Sequence, residues 1–286
     1  MSEPTVALAL GAGGARGLAH IRALQALDDL GLKPAVIAGS SIGAIIGAGY
    51  ASGMSGDDMH AYVRERFENR FELLASLWKL RPQDVLRFIA EGGLRLGEIS
   101  IERVIDVFLP ERVGRDFSEL KIPLRVVATD YYAQRDHVFR SGALRPTLAA
   151  SAAIPAVFLP VKIGGEIYVD GGMTNPAPFD ILGGRADIIA AIDVSGGPQG
   201  ERSTRPGKVD MMYASTQLMQ HAIIAAKAEN HQLDICLRPD VGRFRALDFL
   251  RTESVLTASL PLREDFKRAL GAAMENVIKC RNGSPA

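Results

Sequence analysis

The sequence predicts an α/β fold with a mostly parallel central sheet and helices on both faces. Three observations predict it. The chain opens as strand, glycine-rich loop, helix, strand, sharp turn and helix, a βαβ beginning that implies right-handed crossovers. Its strand candidates are short, uncharged apolar runs, as strands buried on both faces should be. Between residues 54 and 120 the pattern shifts to amphipathic helices, which read as a helical excursion between strands. At 286 residues one domain spanning 1–286 is expected, with a largely helical portion from 209 to 286.

Thr5 to Leu10 is the first strand. Gly11 to Gly17 form the loop, and Leu18, Ile21, Leu24 and Leu27 then repeat at helical spacing until Gly31. Pro34 precedes a second strand that runs into Gly39-Ser40-Ser41-Ile42-Gly43. Ser55-Gly56-Asp57-Asp58 supplies a cap and an acidic first turn for a helix carrying Val63, Phe67, Phe71, Leu74 and Trp78 on one face. Pro82 stops that helix. Further helices are expected from Gln83 to Ala90 and from Ser100 to Leu109. Strand signals resume at Leu124 to Thr129, and Gly164-Gly165 joins two short runs as a hairpin leading into Asp170-Gly171-Gly172. Ile188 to Ile192 is another buried strand, Val209 to Glu229 a long helix, Leu233 to Leu237 a last strand and Leu262 to Lys279 a final helix. Met211, Met212 and Met219 are expected in helix core.

Composition narrows the function classes. Lys plus Arg and Asp plus Glu both total 33, so nothing favours nucleic acid or an anionic surface electrostatically. Cys236 and Cys280 make neither a disulfide framework nor a zinc site. The first apolar run is too short for a secretory leader, and cytoplasm, with the periphery of the inner membrane as an option, is the expected location. Residues 35–56 carry no charge and are long enough to cross a bilayer, yet they hold six glycines and four serines. A buried strand followed by a buried helix is the better reading.

Gly39-Ser40-Ser41-Ile42-Gly43 has the form G-x-S-x-G. In a nucleophile elbow the serine projects from the apex of a strand-to-helix turn, and flanking Gly39 and Gly43 avoid clashes there. The pattern arises by chance in roughly one chain in ten of this length, so Ser41 needs partners. The loop Gly11-Ala12-Gly13-Gly14-Ala15-Arg16-Gly17 fails as a dinucleotide fingerprint. Arg16 stands where the third glycine belongs, and no acid ends the second strand. Consecutive amides at a helix start suit a developing oxyanion instead, while a tight turn that binds nothing is the bland alternative. Among His20, His60, His137, His221 and His231, none has a context marking a catalytic base. Asp130, Asp170 and Asp193 each end a predicted strand, and position alone does not choose among them.

These motifs, in this order, resemble the signatures of patatin-like phospholipases. Ser151-Ala152-Ala153-Ile154-Pro155-Ala156-Val157-Phe158 is similar to the family segment before the catalytic aspartate hairpin. The likeness runs from about Val6 to Asp193, nearest to small bacterial members and the catalytic domain of neuropathy target esterase. It implies a three-layer patatin-like fold, a Ser41–Asp170 dyad without histidine, and an oxyanion loop on Gly11, Ala12, Gly13, Gly14, Ala15 and Arg16. It further implies a phospholipid, lysophospholipid or fatty-acyl ester substrate, with no metal or cofactor. Ala12 departs from the all-glycine version of the loop as a small residue that still fits, and Asp-Gly-Gly rather than Asp-Gly-Ala follows the bacterial pattern. Acyl transfer, general carboxylesterase activity, a Ser-Asp-His triad through His221 or His231, and a non-catalytic regulator remain alternatives. The excursion offers acyl-chain contacts, and its aromatic stripe is either a lid that touches membrane surfaces transiently or a face packed on the sheet. Oligomeric state is not legible.

Overall fold

A computed structural model describes residues 3–68, 100–198 and 205–282. The expected continuation of the aromatic stripe through Phe71, Leu74 and Trp78, and the expected helix from Gln83 to Ala90, lie outside the described residues. Strands β1 (Val6–Leu10), β2 (Val36–Ser40), β3 (Leu124–Asp130), β4 (Arg135–Phe139), β5 (Val161–Ile163), β6 (Glu166–Asp170), β7 (Ile188–Ile192) and β8 (Ile235–Leu237) form one mixed sheet. Its order is β5-β6-β3-β2-β1-β7-β8, with β4 also paired to β3. The β3-β2-β1-β7-β8 core is parallel, whereas β4, β5 and β6 pair antiparallel.

Alternation along the strands sorts the two faces. Leu8, Leu10 and Ile37 point into the larger core cluster, and Ala7, Ala9, Val36 and Ala38 into a smaller one on the other side. On the larger face lie α1 (His20–Asp29), α2 (Ile42–Ala51), α3 (Gly56–Glu68), α4 (Ile101–Phe108) and α5 (Leu144–Ser151). The long helix α6 (Lys208–Ala228) meets the smaller face, whose alanines leave room for Phe179, Leu182 and Ile224. Two final helices, α7 (Thr252–Ala258) and α8 (Pro261–Arg281), return to the larger face. Asp29 anchors α8 to α1 by accepting from Arg263 at 2.5 and 2.8 Å and from Lys267 at 3.1 Å.

The first expected helix is split, since Gly14–Ala19 is a tighter 3-10 turn before α1 begins. The methionine expectation is corrected. Met211, Met212 and Met219 are 49%, 63% and 59% exposed, because α6 buries a narrow stripe against a face of small residues. Among the described residues no helix is long and apolar enough to cross a membrane.

Register on β3 is what matters for the site. Across one edge of β3, Ser40 of β2 pairs with Val127. Beyond that point β2 has ended, and Asp170 of β6 pairs with Ala128, the next residue along. The opposite edge is occupied throughout this stretch by β4. So β6 arrives on the edge that β2 has just left, and the end of one strand abuts the end of the other.

Candidate active site

Ser41 stands at the handover from β2 to α2, with φ 54° and ψ −126°. A residue with a side chain enters that region at a cost of about 1–3 kcal/mol, so the surroundings must impose it. They do so through Gly39 and Gly43. A Cβ on Gly39 would lie 2.6 Å from the Ala44 backbone, and one on Gly43 would lie 2.1 Å from the Leu10 carbonyl oxygen. Ser151 braces the turn: its hydroxyl donates to the Val127 carbonyl at 2.5 Å and accepts the Ser41 N–H at 2.9 Å. Ser40 donates its hydroxyl to the Asn175 carbonyl at 2.5 Å. The sequence marks Ser151 only as the start of a family-like segment and gives Ser40 no role. Complete burial of both is the signal that singles them out, and it requires the fold.

The Ser41 hydroxyl donates to Asp170 Oδ2 at 2.6 Å. The other carboxylate oxygen, Oδ1, accepts the Gly172 N–H at 2.7 Å. Burial raises the carboxyl from its ordinary 3.8 to about 6, and the two hydrogen bonds hold it from going further. The main chain at Asp170 is fixed as well, since its carbonyl accepts from Thr129 Oγ1 at 2.9 Å and its N–H donates to Ala153 at 3.0 Å. The rival aspartates have other partners. Asp130 caps a turn by accepting the Ala133 N–H at 3.0 Å. Asp193 accepts from Ser195 and pairs with Arg238 at 2.6 Å.

The glycine loop sorts its amides into two sets. Gly11, Ala12 and Ala15 donate to the carbonyls of Ile192, Pro176 and Ala246 at 3.0, 2.7 and 2.7 Å. Those of Gly13 and Gly14 make no hydrogen bond among the described residues. Arg16 is buried and folds back on the Gly13 carbonyl at 3.2 Å. Burial lowers its guanidinium to about 10, against the attraction of Asp193 and Asp248, so it stays charged at neutral pH. Gly172 abuts Ala12, which sets the aspartate loop directly against the glycine loop.

No histidine hydrogen-bonds to Ser41 or Asp170. His20 is fully buried beneath the loop, where Nε2–H donates to the Gly11 carbonyl at 2.8 Å. Burial lowers it to about 4, so it is neutral. His60 accepts from Arg22, and His137 sits against Phe139 and Tyr168.

The family profile described as patatin-like phospholipase matches residues 8–182, a stretch holding the glycine loop, Ser41 and Asp170. The chain belongs to the patatin-like phospholipase family. An uncharacterised NTE family protein of Mycobacterium tuberculosis is 35% identical over 206 residues, covering 70% of this chain and 51% of the relative. Patatin-like phospholipase domain-containing protein 6 of Homo sapiens is 31% identical over 205 residues, 70% of this chain and 14% of that protein. The chain therefore spans about half the length of the mycobacterial relatives it matches. VipD from Legionella pneumophila superposes with a TM-score of 0.48 at 12% identity, over 94% of this chain and 67% of that one.

In this patatin-like chain Ser41 and Gly14 help line a cavity enclosing about 1050 Å³ with its open mouth included. No charged residue lines it among the described residues. Helix α4 contributes Ile101, Val104, Ile105 and Phe108, one stripe at i, i+3, i+4 and i+7. Helix α3 contributes Met59, Tyr62, Val63 and Phe67 in nearly the same spacing. The described part of the aromatic stripe is thus a wall: Phe67 stacks between Phe108 and Phe249 at 5.8 and 5.9 Å.

Proposed function

We propose that this chain is a serine acyl-ester hydrolase of phospholipase A or lysophospholipase type, working through a Ser41–Asp170 dyad. The observation that carries the proposal is the 2.6 Å hydrogen bond to a buried Asp170 from Ser41, which lines a cavity with no charged residue among the described ones. Asp170 takes the serine proton as Oγ attacks the ester carbonyl carbon. The carbonyl electron pair moves onto oxygen, where the unused amides of Gly13 and Gly14 receive it. As the tetrahedral intermediate collapses, Asp170 returns the proton to the departing alkoxide and the acyl group stays on Ser41. Water then repeats the sequence, with Asp170 as base, and releases the fatty acid. The short contact between nucleophile and base supports direct transfer without a histidine. The excursion helices α3 and α4 take the acyl chain, because an apolar wall without charges is where a hydrocarbon loses its contact with water.

The test is fatty-acid release from a panel of phospholipids, lysophospholipids and simple fatty-acyl esters, followed across pH. The base must be ionised to act. Its group is raised to about 6, so kcat/KM is level above that value and falls tenfold for each pH unit below it. Hydrolysis that persists undiminished well below pH 6, or no release from any member of the panel, contradicts the proposal.

A further inference from the structure

The cavity has a direction and an end. Ser41 is the N-cap of α2, and Ile42, Ile45, Ile46 and Gly49 line the cavity from that helix. These are positions i, i+3, i+4 and i+7, a single stripe along the helix axis that leads away from the nucleophile. Eight residues at 1.5 Å each make the stripe about 12 Å long. At its far end stand Met54 and Met59, both buried. Gly49 lets them close on the bare helix backbone. A Cβ there would lie 3.1 Å from Met59 Cε, 3.6 Å from Met59 Sδ and 3.7 Å from Met54 Sδ.

We infer that Gly49, Met54 and Met59 form the floor of a single acyl-chain channel and set the length of chain that Ser41 accepts. The inference rests on the hydrolase reading above and extends it to chain specificity. A stripe of α2 runs the length of the channel, and residues of α3 and α4 supply its other sides, so it fits one unbranched chain lying along α2. A bilayer core of about 30 Å holds two chains end to end, or roughly 15 Å per chain. A channel of about 12 Å therefore accepts most of a membrane-lipid chain and stops it at the floor. Methionine is suited to that position because its unbranched thioether shifts at small cost.

The experiment measures kcat/KM on p-nitrophenyl esters from butyrate to palmitate for the wild type, Gly49→Val, Gly49→Ala and Met59→Ala. Each buried methylene excluded costs roughly fourfold, so two lost at the floor lower the long-to-short ratio by about tenfold or more in Gly49→Val. Gly49→Ala shifts the ratio the same way by less, and Met59→Ala shifts it toward longer chains. Hydrolysis with an unaltered chain profile in all three variants overturns the gauge and leaves the hydrolase reading standing. If the wild type cleaves no ester, that reading falls, and fatty-acid binding decides the gauge by the rise in Tm. Loss of the long-chain rise in Gly49→Val then supports it, and a rise equal to wild type overturns it.

Discussion

Asp170→Asn lowers kcat by roughly 10²–10⁴-fold while leaving the protein folded and at least as stable at neutral pH. An amide has the right shape for both contacts of the carboxylate. Its oxygen accepts the Gly172 N–H and its nitrogen donates to Ser41 Oγ, so the local hydrogen bonds survive with one donor reversed. It is not a base, so the serine proton has nowhere to go. The stability half follows from linkage. A carboxyl raised from 3.8 to about 6 by burial favours the fold when protonated, and that contribution is lost as pH rises through about 6. Asparagine carries no charge to bury and escapes that loss. Ester turnover and Tm, measured on the same preparation, should therefore move apart. Ser41→Ala removes the proposed nucleophile and should be as inactive. A variant Asp170→Asn with near-normal turnover assigns the base to another group.

Gly43→Ala is expected to damage the fold itself. Its Cβ would meet the Leu10 carbonyl oxygen at 2.1 Å, the Leu10 carbonyl carbon at 2.5 Å and the Gly11 oxygen at 2.8 Å. All three are backbone atoms with no rotamer to change, and Leu10 is paired on both sides within the sheet while Gly11 is tied to the Ile192 carbonyl. The helix must withdraw instead, and it carries Ser41 with it. Overpacking of this kind costs about 3 kcal/mol, and in a chain of this size that lowers Tm by roughly 6 °C or more. Gly271→Ala is the contrast. Nothing lies within 4 Å of a Cβ there, and a mid-helix alanine is favoured by about 1 kcal/mol. A Gly43→Ala protein with wild-type Tm and turnover contradicts the close approach of α2 to β1.

What the residues disclose about this site differs from one member to the next. The elbow is legible because its constraint is local: a sharp turn needs Gly39 and Gly43, and both stand beside Ser41. Asp170 is not legible from the residues in the same way. Three carboxylates end strands, and only pairing on β3 places one of them next to the end of β2. Position along a strand is written in the sequence, but which strand succeeds another on an edge is not. The glycine loop is intermediate, since its composition points to an anion while the division of its amides depends on distant carbonyls of Ile192, Pro176 and Ala246. Three elements escape the patterns altogether: Arg135–Phe139, Leu144–Ser151 and Thr252–Ala258. Among the described residues Arg135–Phe139 pairs only with β3, and it mixes charge with apolar residues, so it lacks the buried-strand signature. Leu144–Ser151 carries Pro146, which is tolerated because it falls in the first helical turn, where an N–H has no intrahelical partner. The exposed methionines of α6 show the converse: spacing predicts a helix, while burial depends on how much of the opposing sheet face the partner residues fill.

His20 bears on the glycine loop and not on the Ser41–Asp170 pair. It touches neither Ser41 nor Asp170, yet it supports the loop through the Gly11 carbonyl, so its replacement acts on loop position and not on proton transfer.

The dyad is tested most directly by labelling with a fluorophosphonate, which phosphonylates an activated nucleophile with loss of fluoride, and locating the adduct by peptide mass. The expected result is an adduct on Ser41 in the wild type, none in Ser41→Ala, and labelling slowed at least about a hundredfold in Asp170→Asn. An adduct on another residue, or wild-type labelling of Ser41 in Asp170→Asn, contradicts the pairing of Ser41 with Asp170.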